Sequence, residues 1–193
     1  MTCRAPSSAS TCAGAQLGYN NEGELASWQN APSSPSTTAQ YLYDGQGQRV
    51  EQVATQGGTT TTTVYVGGVE EVATTGATTT TTTYYYVGGK RIGLSVNGVV
   101  SYLAGDGLGS ANVTLSAGGS ATASVLYAPY GGTRYSSGTM PTSYGFTGQR
   151  ADTTSGLDYY GSRYYDPLAG QFTSGDSVLP GGGFDAWGLS RYA

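Results

Sequence analysis

The feature that most constrains this chain is a duplication between Gly57 and Leu94. Thr59 to Thr63 runs into Val64-Tyr65-Val66-Gly67-Gly68 and then Val69-Glu70-Glu71-Val72. Thr78 to Thr83 runs into Tyr84-Tyr85-Tyr86-Val87-Gly88-Gly89 and then Lys90-Arg91-Ile92-Gly93-Leu94. The two Tyr-Val-Gly-Gly strings stand 21 residues apart, and Tyr43-Asp44-Gly45 lies 22 residues upstream of Tyr65. A period of that length, built from two short β-forming runs and a glycine turn, is one β-hairpin per repeat. Threonine, valine and tyrosine suit a pleated, half-exposed surface, and Gly-Gly supplies the positive φ of a tight hairpin turn. A single hairpin does not hold together in water, so the units must lie side by side in one long antiparallel sheet. A threonine run alone is also what a glycosylatable linker looks like. The shared Tyr-Val-Gly-Gly ending and the kept period favour strand.

The same pattern continues downstream. Asn97-Gly98, between Leu94-Ser95-Val96 and Val99-Val100-Ser101-Tyr102, is the strongest single hairpin signal. Val113-Thr114-Leu115, Gly118-Gly119 and Val125-Leu126-Tyr127 read as another hairpin. No helical window escapes interruption by glycine. The predicted fold is all-β: a long antiparallel sheet of hairpin repeats, forming a strip or partial spiral shell, with a turn-rich core at its C-terminal end. Residues 1–16 and 30–38 read as loop, 17–101 as hairpin repeats and 102–193 as the core region.

Composition removes several functions. With 8 Lys+Arg against 12 Asp+Glu and a net charge of −4, the chain has no basic footprint for nucleic acid or an anionic membrane. It has no histidine, hence no imidazole base, no histidine metal ligand and no Ser-His-Asp triad. No cofactor is expected. Gly105 to Gly109 and Gly181-Gly182-Gly183 lack the Lys-Ser/Thr and the following helix of a phosphate loop. No stretch approaches the ~18 apolar residues that span a bilayer. Met1 to Ser7 has no apolar h-region. Low charge with abundant Thr, Ser and Gly suits a secreted or cell-surface protein. Cys3 and Cys12 fit either a small-loop disulfide or two free thiols. The 17 tyrosines read as cross-strand ladders on the sheet faces.

From Tyr102 the repetition fades and specific strings appear. The first are Asp106, Leu108, Gly109 and Ser110, then Pro129-Tyr130-Gly131 after Tyr127-Ala128, then Phe146-Thr147-Gly148-Gln149. A block of Gly156, Leu157, Tyr159, Tyr160, Arg163, Tyr164, Tyr165, Asp166 and Pro167 then leads to Gly170 and Phe172. These strings, in this order, resemble the RHS-repeat-associated core of the Rhs/YD-repeat proteins. Tyr19-Asn20-Asn21-Glu22-Gly23 and Tyr41-Leu42-Tyr43-Asp44-Gly45-Gln46-Gly47 look like the repeats that name the family. The resemblance implies a spiralling strip of β-hairpins forming a hollow shell, with the core domain plugging one end and a C-terminal toxin held inside. In many members the core is also an aspartyl autoprotease that cuts after a downstream Asp-Pro-x-Gly-Leu-like motif. This chain stops before such a motif and has Ser174-Gly175-Asp176-Ser177 where the family usually shows Asp-Pro. It is therefore expected to be a piece of a longer protein. Its partners would be the rest of its own chain and a C-terminal toxin or effector.

The chemistry open to the tail is carboxylate chemistry. An aspartyl protease needs two carboxylates close enough to share a proton. By position in the resemblance, Asp176 and Asp185 are the candidates. The competing role for Asp152, Asp158, Asp166, Asp176 and Asp185 is to cap turns, in a tail dense in Gly, Pro and Ser. Arg163 is expected to pair with Asp158 or Asp166, or to stack on a ring. Three functions remain: a non-catalytic shell segment, an autoproteolytic core acting downstream, and a surface protein that self-associates through edge strands.

Overall fold

The computed structural model describes residues 14–176, 178 and 190–193. Cys3, Cys12, Gly181-Gly182-Gly183 and Asp185 lie outside the described residues. Among those described, twelve strands form one sheet whose spatial order is the chain order. They are β1 (Gln16–Tyr19), β2 (Leu25–Gln29), β3 (Thr37–Tyr43), β4 (Arg49–Gln56), β5 (Thr59–Val66) and β6 (Glu70–Thr75). Then come β7 (Thr78–Val87), β8 (Lys90–Val96), β9 (Val99–Gly105), β10 (Ala111–Ser116), β11 (Ala121–Tyr127) and β12 (Thr133–Ser137). Each strand pairs antiparallel with the next, and the sheet does not close. The predicted strip of hairpins is what forms.

The turns show why. Asn97 and Gly98 have φ of 47° and 88° and join Val96 directly to Val99. Two successive positive φ values make the primed turn whose twist matches the strands it links. The threonine runs are strands: Thr55, Thr61 and Thr74 face Thr60, Thr75 and Thr79. Their hydroxyl oxygens lie 2.9, 2.6 and 3.3 Å apart. Two stretches read as loop end in strand. Gln16 pairs with Gln29, and Thr38 lies between Gln29 and Thr55, so neighbouring ladders capture residues whose own sequence is turn-like. The strip also runs past the change of sequence character at Tyr102. β9 crosses it, and β10 to β12 carry the sheet to Ser137.

The duplication is exact neither in turn length nor in burial: Val66 pairs with Glu70 across three residues, Val87 with Lys90 across two. Tyr65 is buried, yet its sequence counterpart Tyr86 is exposed and Tyr84 takes the buried position. A bulge between Tyr85 and Tyr86 sets the second repeat out of phase.

A second, four-stranded sheet follows a single 3-10 turn at Phe146–Gly148. Its strands are β13 (Arg150–Asp152), β14 (Leu157–Tyr159), β15 (Tyr164–Asp166) and β16 (Gln171–Phe172). Alternation gives this small sheet, the plug, two distinct faces. Arg150, Asp152, Leu157, Tyr159 and Tyr164 share one; Ala151, Asp158, Tyr165 and Phe172 share the other. On the first face Leu157, Tyr159 and Tyr164 form one core with Leu17, Leu25, Trp28, Ala39 and Tyr41 of β1 to β3. Each such fully buried side chain contributes roughly 1.5–3 kcal/mol. The second face meets the turn after β11: the Tyr165 hydroxyl donates to the Tyr130 carbonyl at 3.2 Å. The strip therefore bends around the plug, early strands over one face and the β11–β12 turn over the other.

Candidate functional site

The strip–plug junction concentrates the charge of a chain that has little. Arg49 opens β4 and points at the plug, 4% exposed. Its Nη1 lies 3.2 Å from Asp152 Oδ2 and donates to the Tyr164 hydroxyl at 3.0 Å, while Nη2 donates to the Tyr65 hydroxyl at 3.2 Å. Gln52, three residues along β4 and brought to the same face by the bulge opposite Leu42 and Tyr43, donates to the same Asp152 oxygen at 3.0 Å and accepts from Tyr65 at 2.8 Å. Four tyrosine rings surround the guanidinium: Tyr41, Tyr65, Tyr159 and Tyr164, with centroids at 5.5, 4.7, 4.8 and 5.9 Å. Burial opposes the charge on Arg49, but the oxygens of Tyr164, Tyr65 and Asp152 outweigh it and hold the guanidinium above its ordinary range. The same burial pushes the Tyr65 hydroxyl up to about 12, against the pull of Arg49 and Arg150.

A second cluster sits beside the first. Arg150 of β13 donates from Nε and Nη2 to Glu71 Oε1 of β6, at 3.0 and 2.8 Å. The Ser143 hydroxyl adds a bond to the same oxygen at 2.7 Å. Arg150 stacks over Tyr65 and Tyr144, and Arg91 over Tyr144. Tyr84 meets Tyr144 edge-on at 4.9 Å. Each plug arginine or aspartate in these clusters has its partner on the strip, so the two sheets are joined by buried ion pairs.

The strings that stood out in the sequence are brought together at the other end of the junction. Asp106 Oδ1 accepts the amides of Leu108 and Ser110, both at 2.9 Å, which folds the turn that ends at Gly109. Ser110, fully buried, accepts the Thr147 amide on Oγ at 3.0 Å. A side chain on Gly148 would meet the Gly109 carbonyl at 3.0 Å, and one on Gly131 would strike the Phe146 ring at 2.6 Å. Gln149 accepts the Gly145 amide and returns its own to Phe146. The Thr147 and Tyr160 hydroxyls are 2.6 Å apart, and Gly170 lies under the Tyr130 ring. Pro129 begins the turn that carries Tyr130, Gly156 ends the turn into Leu157, and Pro167 begins the turn out of Asp166. Asp166 Oδ1 accepts the amides of Leu168 and Ala169 at 2.9 and 3.4 Å.

No family model matches the chain. Over 89 residues, 44% of its length, the chain is 37% identical to Toxin subunit YenC1 of Yersinia entomophaga, and it covers 9% of that protein. It superposes on a crystal structure of TcdB2-TccC3 with a TM-score of 0.76 and 25% identity, covering 93% of this chain and 10% of that one. A crystal structure of TcdB2-TccC3-Cdc42 gives a TM-score of 0.78 at 23% identity, again over 93% of this chain and 9% of the other. These likenesses support the resemblance to the Rhs/YD-repeat proteins.

Within this fold several expected side-chain roles change. Arg163 pairs with neither Asp158 nor Asp166. Its Nη2 lies 3.2 Å from Asp176 Oδ2, and its guanidinium stacks 3.8 Å above the Phe172 ring. Asp158 and Asp166 are unavailable to it because they are buried in the plug strands. Asp176 Oδ1 accepts the Val178 amide at 3.0 Å, and its carbonyl accepts two bonds from Arg191. Both carboxylate oxygens of Asp176 are thus engaged by donors. Asp152 does cap a turn, accepting the amides of Thr154 and Ser155, but its other oxygen carries the buried ion pair. Asp158 caps nothing: it sits in the middle of β14, opposite Ala151 and Tyr165. The tyrosines are not chiefly strip ladders. Tyr41 packs on Tyr164 and Tyr43 on Tyr159, strip to plug, while Tyr84 packs on Tyr144 and Tyr127 on Phe146, strip to the segment that leads into the plug.

Sequence reasoning missed Arg49, Gln52, Glu71 and Arg150. Three of the four are charged in a chain with 10% charged residues, and each of the four faces a tyrosine across its strand pair: Tyr43, Tyr41, Tyr65 and Tyr159 in turn. The scarcity of charge was the one signal available in the sequence; the register was not.

Proposed function

We propose that the chain is a non-catalytic wall-and-plug segment of an Rhs/YD-repeat toxin subunit. In its full length that subunit is secreted, encloses a C-terminal toxin or effector domain and delivers it. The observation that carries this reading is the use of charge. The buried arginines and carboxylates between strip and plug serve docking, and Asp176 is occupied by Arg163. Such pairs hold one geometry firmly, because losing either partner strands a buried charge. Among the described residues β1 and β12 are the outer strands of the sheet, and neighbouring hairpins of the longer chain would continue the wall at those edges. Toxin subunit YenC1, to which the chain is similar, supports the toxin setting.

The test is protease protection in the natural longer protein. The effector domain is expected to survive digestion inside the intact shell and to become susceptible when Arg49→Ala loosens the plug. An effector digested as fast in the intact protein as when isolated would overturn the proposal.

A further inference from the structure

Asp158 is a carboxylate in an apolar place. It is 6% exposed, on the plug face that meets the β11–β12 turn. Its Oδ2 has no hydrogen-bond partner among the described residues. The hydroxyls around it are committed elsewhere. Tyr127 donates to the Ala111 carbonyl at 3.4 Å, Tyr165 donates to the Tyr130 carbonyl, and Tyr160 bonds Thr147. The charged groups acting on it are Asp166 on β15 and Asp152 on β13, both of its own sign. The tyrosines of β11, β14 and β15 feel it in turn: Asp158 raises the hydroxyls of Tyr127, Tyr160 and Tyr165, after the larger effect of burial. An ionised, unpaired carboxylate in such a site is costly, whereas the protonated acid is tolerated.

We propose that Asp158 is a pH-sensitive latch: protonated, it lets the plug seat fully against the β11–β12 turn, and on losing its proton it loosens that contact. This rests on the fold, independently of the shell function. Burial first, then the Asp166 and Asp152 carboxylates, push its acid up to about 7. In an unfolded chain an aspartate titrates at about 3.9. Between those values the seated plug holds a proton that the opened chain has lost. The seating is therefore strongest below about pH 4 and is lost progressively as pH rises through about 7.

Hydrogen exchange on the 193-residue chain, corrected for intrinsic rates, reads the opening of β14, β15 and the Tyr127–Gly131 turn. The opening constant is expected to rise ~50-fold from pH 5 to pH 7 and to level off above that. Asp158→Asn, which has the shape of the protonated acid, is expected to abolish the rise. Carbon-13 NMR of the wild-type Asp158 carboxyl checks the same point without a variant, with a midpoint expected near neutrality. A midpoint below pH 5, or the same rise in Asp158→Asn, would overturn the proposal.

Discussion

Arg49 is tolerable in the interior only because every side of its guanidinium is answered: Asp152 in the ion pair, Tyr164 and Tyr65 in hydrogen bonds, four rings around it. Its removal leaves Asp152 buried with Gln52 as its remaining strip partner. Arg49→Ala is therefore expected to cost about 3–5 kcal/mol, read as a fall in the urea midpoint. Arg49→Lys is expected to recover only part of that, because an ammonium cannot supply the planar fork that reaches Asp152, Tyr164 and Tyr65 together. Equal stability of wild type and Arg49→Ala would mean the ion pair does not hold the junction. At this scale the sequence was least informative. The Asp-x-Leu-Gly-Ser and Phe-Thr-Gly-Gln strings marked the residues of one contact, since their glycines and capping oxygens have local causes. Nothing local pairs Arg49 with a residue 103 positions away, and nothing local distinguishes Asp158, in mid-strand, from Asp166, which ends its strand and caps the turn that follows.

Elements were far more legible, because a hairpin is specified by adjacent residues. Asn97-Gly98 and Gly88-Gly89 place their turns where the strands need them, and the threonine runs pair with one another across β4 to β7. Gly98→Ala puts a Cβ at φ 88° and is expected to cost about 1–2 kcal/mol. The loss should appear as a lower urea midpoint with an unchanged slope. No loss would mean the turn is not held in its primed form. The phase of the repeats was hidden for a different reason. Tyr86 matches Tyr65 in sequence, but the bulge beside it lets Tyr84 reach Tyr144 instead. Packing against the plug, a tertiary event, chooses which tyrosine turns inward.

At the scale of the molecule, strip and plug are one structure. The plug has four short strands of two or three residues each, too little to stand alone. The first strands of the strip have their apolar face filled by Leu157, Tyr159 and Tyr164. Neither half has a complete core without the other, although β16 is separated from β1 by most of the described chain. Their stability should therefore be shared, and the junction should fail as a unit. The most direct test is native-state hydrogen exchange in Asp152→Asn, which weakens the Arg49 pair while keeping the side-chain shape. We expect β14 and β15 to lose protection together with β3 and β4. Protection lost in β3 and β4 alone, with the four-stranded sheet unchanged, would contradict the account.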